Sequence, residues 1–123
     1  MNTFRTCISL SVFLGALMLS TASYAADAFF TDLEELPIMS GLVENQAAAV
    51  TFETANGRII EVEASGTVSA EEVVEFYSET LPQLGWEKVG DIAFQRDQER
   101  LTLRITDVGA GRVLVAFSLS PKS

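Results

Sequence analysis

From Val50 to Leu119 the apolar residues of this chain recur at every second position, and the pattern breaks once for a stretch with helical spacing. A period of two lines one face of a pleated strand, whereas a spacing of three and four lines one face of a helix. Such a chain lays antiparallel strands side by side and closes their apolar face with the one helix. Val50 and Phe52 alternate with Thr51 and Glu53 as a half-buried strand. Asn56-Gly57 follows, a dipeptide suited to the positive φ angles of a type I′ hairpin turn. Ile60, Val62 and Ala64 then alternate with Glu61 and Glu63 on the returning strand.

The helix announces itself at Ser69-Ala70-Glu71-Glu72, a capping box in which the Ser69 hydroxyl accepts from the Glu72 amide. Val68 and Val73 flank it as a hydrophobic staple. Val73, Phe76, Tyr77, Leu81 and Leu84 form one apolar stripe, and Glu71, Glu72, Glu75 and Glu79 load the remainder with acid. Acid near the N-terminus suits the helix dipole. Pro82 removes an amide from the last turn, and Gly85 fits a left-handed terminating position. These signals predict a helix over about residues 70–84. Trp86 to Arg96 reads as one bent strand or two short ones around Gly90-Asp91, with Trp86 anchoring the corner in the core. Leu101, Leu103 and Ile105 mark another strand, and Val113, Val115, Phe117 and Leu119 the last, with turns at Asp97-Gln98-Glu99 and Gly109-Ala110-Gly111. The expected fold class is α+β, in the order β-β-α-β-β-β, with a single antiparallel sheet covered on one face by one helix.

Ahead of this domain, residues 1–25 have the form of a secretory signal peptide. Met1 to Arg5 supply a short positive n-region, Thr6 to Leu19 an apolar h-region, and Ser23-Tyr24-Ala25 offers small residues for cleavage before Ala26. The apolar run falls short of the ~20 residues that cross a bilayer, so no transmembrane span is expected after cleavage. Cleavage removes Cys7, the sole cysteine, together with Arg5. A mature domain with no cysteine and no glycosylation sequon points to a bacterial periplasmic or secreted protein. The expected organisation is a leader over 1–25, an apolar arm over 26–47, a compact domain over 48–120 and a frayed tail over 121–123.

The arm carries Phe29, Phe30, Leu33, Leu36, Ile38, Met39, Leu42 and Val43, kept soluble by Asp32, Glu34, Glu35 and Glu44. Phe29, Leu33 and Leu36 lie at helical spacing, so Asp27–Leu36 is expected as a short amphipathic helix ended by Pro37. Two readings follow. The arm packs on the domain's core, which is favoured because soluble proteins seldom expose large apolar patches, or it docks onto a partner.

Composition removes many chemistries. The chain has no His, which takes away the commonest general base and metal ligand. Without a cysteine in the mature domain there is no thiolate nucleophile and no Cys-ligated metal. With 8 basic residues against 17 acidic ones, a net charge of −9 argues against nucleic acid as a partner. Acidic pairs such as Glu61 with Glu63, or Glu71 with Glu72, are read as solvated surface and helix capping rather than a hydrolase pair. They match no calcium loop, and Gly109-Ala110-Gly111 opens no helix and so forms no phosphate loop. Neither enzymatic activity, a cofactor nor a metal is expected. Arg100 and Arg104 fall on the polar side of one strand, with Arg96 and Arg112 nearby. They either pair with Glu53, Glu61 or Glu63 across strands, the favoured reading, or receive an acidic partner.

The run Phe76-Tyr77-Ser78-Glu79-Thr80-Leu81-Pro82-Gln83-Leu84-Gly85-Trp86 resembles a pattern in small exported bacterial domains of unknown function, where an aromatic helix ends in Leu-Pro-x-x-Gly-Trp before a meander of strands. The resemblance implies fold and compartment, and no reaction. The expected role is therefore a binding or assembly module contacting an envelope protein through Phe29, Phe30, Leu33, Ile38, Met39, Leu42, Arg100 and Arg104. The alternative is a carrier of a small apolar ligand between helix and sheet, near Phe76, Tyr77, Phe94 and Phe117.

Overall fold

The computed structural model describes residues 28–122, so the leader expected over 1–25 lies outside the described residues. Among the described residues the fold is mixed α+β, with one α-helix and two antiparallel sheets, of seven and two strands. The order is β1 (Ala28–Phe29), β2 (Pro37–Ile38), β3 (Leu42–Glu44), a 3-10 turn (Gln46–Ala48), β4 (Val50–Thr54), β5 (Gly57–Gly66), α1 (Ala70–Gln83), β6 (Glu87–Gly90), β7 (Ala93–Arg96), β8 (Glu99–Gly109) and β9 (Arg112–Pro121). In the large sheet the strands run β3-β5-β9-β8-β7-β6, and β4 also pairs with β5. β3 and β4 therefore form one edge row along β5, interrupted by the 3-10 turn.

The single-sheet expectation and the β-β-α-β-β-β order need correction, chiefly at the arm, while Trp86 to Arg96 takes the two-strand form of its reading. Trp86 to Arg96 divides into β6 and β7, with a register shift between Lys88 and Gly90. The arm contributes β1, β2 and β3. Its first part is no helix: Ala28 pairs with Ile38 and Phe29 with Pro37, while the Phe30 amide donates to the Leu36 carbonyl and the Leu36 amide to the Leu33 carbonyl. This compact loop buries Phe30, Leu33 and Leu36 together, whereas the helix expected there would have turned Phe29 inward with Leu33 and Leu36. Of the tail, the described residues are pinned rather than frayed: Pro121 pairs with Glu99, and the Lys122 amide reaches the Gln98 carbonyl at 2.6 Å.

Helix α1 begins as its capping box requires, with the Ser69 hydroxyl accepting from the Glu72 amide at 3.1 Å. At its end the Trp86 amide donates to the Leu81 carbonyl and the Gly85 amide to the Pro82 carbonyl, with Gly85 at φ +93°. That pair of bonds is a Schellman motif. The Leu-Pro-x-x-Gly-Trp run is thus a helix stop whose two outer members, Leu81 and Trp86, are both buried. Leu84, expected in the apolar stripe, is exposed instead at the cap.

The core lies between the inner face of the large sheet and a cover made of α1 and the arm. Ile60, Val62 and Ala64 of β5, Leu101 and Leu103 of β8, and Val113, Val115, Phe117 and Leu119 of β9 face Val73, Tyr77 and Leu81. Phe117 is the hub, with Tyr77 at 5.0 Å and Phe30 at 5.1 Å, both edge-on.

Candidate functional site

The inner face ends in charge. Arg58, Glu99 and Arg96 stand two residues from Ile60, Leu101 and Phe94 respectively, so strand alternation places them on the core side. Glu99 holds Arg58 with both oxygens, at 2.8 Å from Nε and 3.0 Å from Nη2. Glu35, from the loop between β1 and β2, accepts through Oε1 from Arg58 at 2.6 Å and from Arg96 at 3.0 Å. Arg96 also lies over the Trp86 ring at 4.3 Å and donates to the Leu84 carbonyl at 3.2 Å, a cation at a helix C-terminus. The hydrogen bonds from Arg58 hold the Glu99 carboxyl below the ordinary 4.5, and those from Glu99 push the Arg58 guanidinium up. This network was missed because Glu35 and Arg58 lie far in sequence from the Arg96–Glu99 hairpin pair, and all four look like ordinary surface charge.

A second tie fixes the arm. The buried Tyr77 hydroxyl donates to the Pro37 carbonyl at 2.8 Å and accepts from the Met39 amide at 3.2 Å. Burial pushes its phenol up. Of the proposed contact residues, Phe30, Leu33, Ile38, Met39 and Leu42 are accordingly core residues, and Phe29 alone of the apolar set is exposed, at 51%. Phe30, Leu33 and Ile38 form, with Leu36, an inward-facing set that the helix and sheet cover, so these residues present no surface to a partner. The residues named for an apolar ligand, Tyr77, Phe94 and Phe117, are buried together with Phe76 packed against them, so a guest there would have to displace interlocked rings.

The opposite face of the large sheet is uncovered. Arg100 and Arg104 stand on it, exposed, and neither forms an ion pair among the described residues. The expected pairing with Glu53, Glu61 or Glu63 is absent for a reason of register. Glu63 and Arg104 both stand opposite Ala116 of β9, and Glu61 stands opposite Ser118. A strand of small residues therefore separates the acidic row from the basic one by two strand spacings, ~10 Å. Arg96 is not near them, being on the inner face, and Arg112 reaches Ser65 at 3.4 Å. The result is a shallow depression of about 210 Å3 lined by Glu61, Glu63, Thr102, Arg104, Ala116 and Ser118.

Val50 and Phe52 also belong to this outer face, against expectation. Phe52 pairs with Ile59 and Val50 with Glu61, so both point away from the helix, Phe52 58% and Val50 37% exposed. Val43 of β3, opposite Ser65, extends the same apolar rim and is 72% exposed. Among the described residues no group of three or more His, Cys, Asp or Glu converges on a metal-sized site, and no helix is long and apolar enough to cross a membrane.

Fold and site together define an α+β protein with a one-sided core and an open, charged outer sheet face. Comparison with protein-family models, with curated proteins and with solved structures finds no match to this chain.

Proposed function

We propose that the chain is a non-enzymatic, exported binding or assembly-accessory module that works through protein–protein contact, with the outer face of its large sheet as the contact surface. The observation that carries this reading is that face: nothing in the described residues covers it, yet it presents apolar Val50 and Phe52 along its β4 edge and, across β5 and β9, Arg100 and Arg104 on β8, which form no ion pair among the described residues. Arginines without ion pairs and exposed aromatic and aliphatic side chains on one sheet face are the composition of contact surfaces. Export is supported by the form of residues 1–25, and an envelope protein is the partner class that fits an exported chain. Affinity capture of the tagged, naturally exported protein from gently solubilised envelope tests the proposal. A reproducible stoichiometric partner that is lost when Arg100 and Arg104 are both changed to Glu supports it. An empty capture, or a partner held equally by the double variant, overturns it.

A further inference from the structure

The two edges of the large sheet are unlike. Edge strand β6 carries Lys88 and a register shift before Gly90, the devices that keep an edge from pairing with foreign strands. Edge strand β4, Val-Thr-Phe-Glu-Thr, has no Pro, no Lys and no bulge, and every one of its residues is exposed. Its free backbone groups can be assigned. The Asn45 amide donates to the Glu63 carbonyl, so the odd-numbered residues of β5 direct their amides and carbonyls toward the β3–β4 row. Val50, Phe52 and Thr54, which stand opposite Glu61, Ile59 and Gly57, use theirs in return. The amides and carbonyls of Thr51 and Glu53 are left pointing off the edge.

Side-chain chemistry says what would pair there. Arg58 stands opposite Glu53 but is held by Glu99 and Glu35, so Glu53 has no ion pair among the described residues. On the other side of the same strand, Val50 and Phe52 are bare. We infer that β4 is a strand-addition site for an extended segment of a partner protein that alternates basic and apolar residues, the basic ones beside Glu53 and the apolar ones beside Phe52. Such a segment completes the main-chain ladder at Thr51 and Glu53 and matches both faces of the edge. The chain's net charge of −9 draws in a basic segment and repels a second copy. The inference rests on the outer-face reading and sharpens it.

The test uses a capped synthetic octapeptide alternating lysine with valine and phenylalanine, and a counterpart with glutamate for lysine. The lysine peptide is expected to bind and to slow hydrogen exchange at the Thr51 and Glu53 amides. The glutamate peptide is expected not to bind. Thr51→Pro removes an outward amide at a position where an edge strand tolerates proline and abolishes the protection, with circular dichroism confirming that the fold survives. Glu53→Lys, which leaves the backbone intact, weakens binding roughly tenfold. Binding of the lysine peptide that leaves those amides unprotected and survives Thr51→Pro overturns the inference. So does a concentration-dependent dimer dispersed by Thr51→Pro, which would make a second copy the occupant. In either case, envelope capture that depends on Arg100 and Arg104 would still stand, so the two readings fail separately.

Discussion

A single phenol holds the N-terminal segment onto the helix. Tyr77 satisfies the Pro37 carbonyl and the Met39 amide from a fully buried position. Tyr77→Phe leaves both groups buried and unpaired, and should lower stability by about 1–3 kcal/mol in denaturant titration. Its neighbour Ser78 is the reverse case: the buried hydroxyl has no partner. Ser78→Ala should be neutral or stabilise by up to about 1 kcal/mol, because it removes an unsatisfied group and improves helix propensity. Glycine matters most at Gly66, where a Cβ would overlap the Gly41 carbonyl oxygen of the adjoining turn.

Among the elements, the helix was the most legible, since each of its signals acts within a turn or two. The capping box, the acidic first turn and the left-handed Gly85 are local chemistry, and the structure repeats them. Gly85→Ala strains the Schellman motif at φ +93° and should cost about 1 kcal/mol, read as a lowered melting temperature. The first hairpin was legible in existence but not in register. Its closing pair is Thr54 with Gly57 around Ala55-Asn56, and the type I′ turn occurs instead at Ala110-Gly111, where both φ angles are positive. Ala110→Asn should therefore stabilise by about 0.5–1 kcal/mol, since asparagine accepts that geometry better than alanine. The inward assignment of Val50 and Phe52 failed on parity. A two-residue turn pairs each residue with an opposite-parity partner, so even-numbered Phe52 shares a face with Ile59 rather than with Ile60. That arithmetic was available from the residues alone.

At the scale of the molecule, the arm is structural. Deleting residues 28–38 removes Phe30, Leu33, Leu36 and Ile38 from the core and exposes Phe117, so the domain should lose its cooperative thermal transition. The ionic network adds an acid-sensitive tie between β5 and β8 at one end of the sheet. The Glu99 carboxyl titrates below the ordinary 4.5 when folded, so its contribution is complete above that pH and fades as pH falls through the lower folded value. Glu99→Gln should flatten this part of the acid limb in a melting-temperature profile. The effect should be about 1 kcal/mol or less, because the group is partly solvated.

The residues by themselves determined the elements whose causes are local: the capped helix, its glycine stop, the alternating strands and the α+β class. They also determined which chemistry is absent from the composition, since a chain without histidine lacks that base whatever its fold. Tertiary structure decided the rest. Whether Phe30 or Phe29 turned inward depended on which surface the arm met. Whether Arg104 found a glutamate depended on one intervening strand. Glu35, Arg58, Arg96 and Glu99 became a network only when three distant segments, the arm loop, β5 and the β7–β8 hairpin, were brought to one end of the core. Burial and charge pairing are relations between segments, and sequence spacing carries them only where the partners are neighbours along the chain.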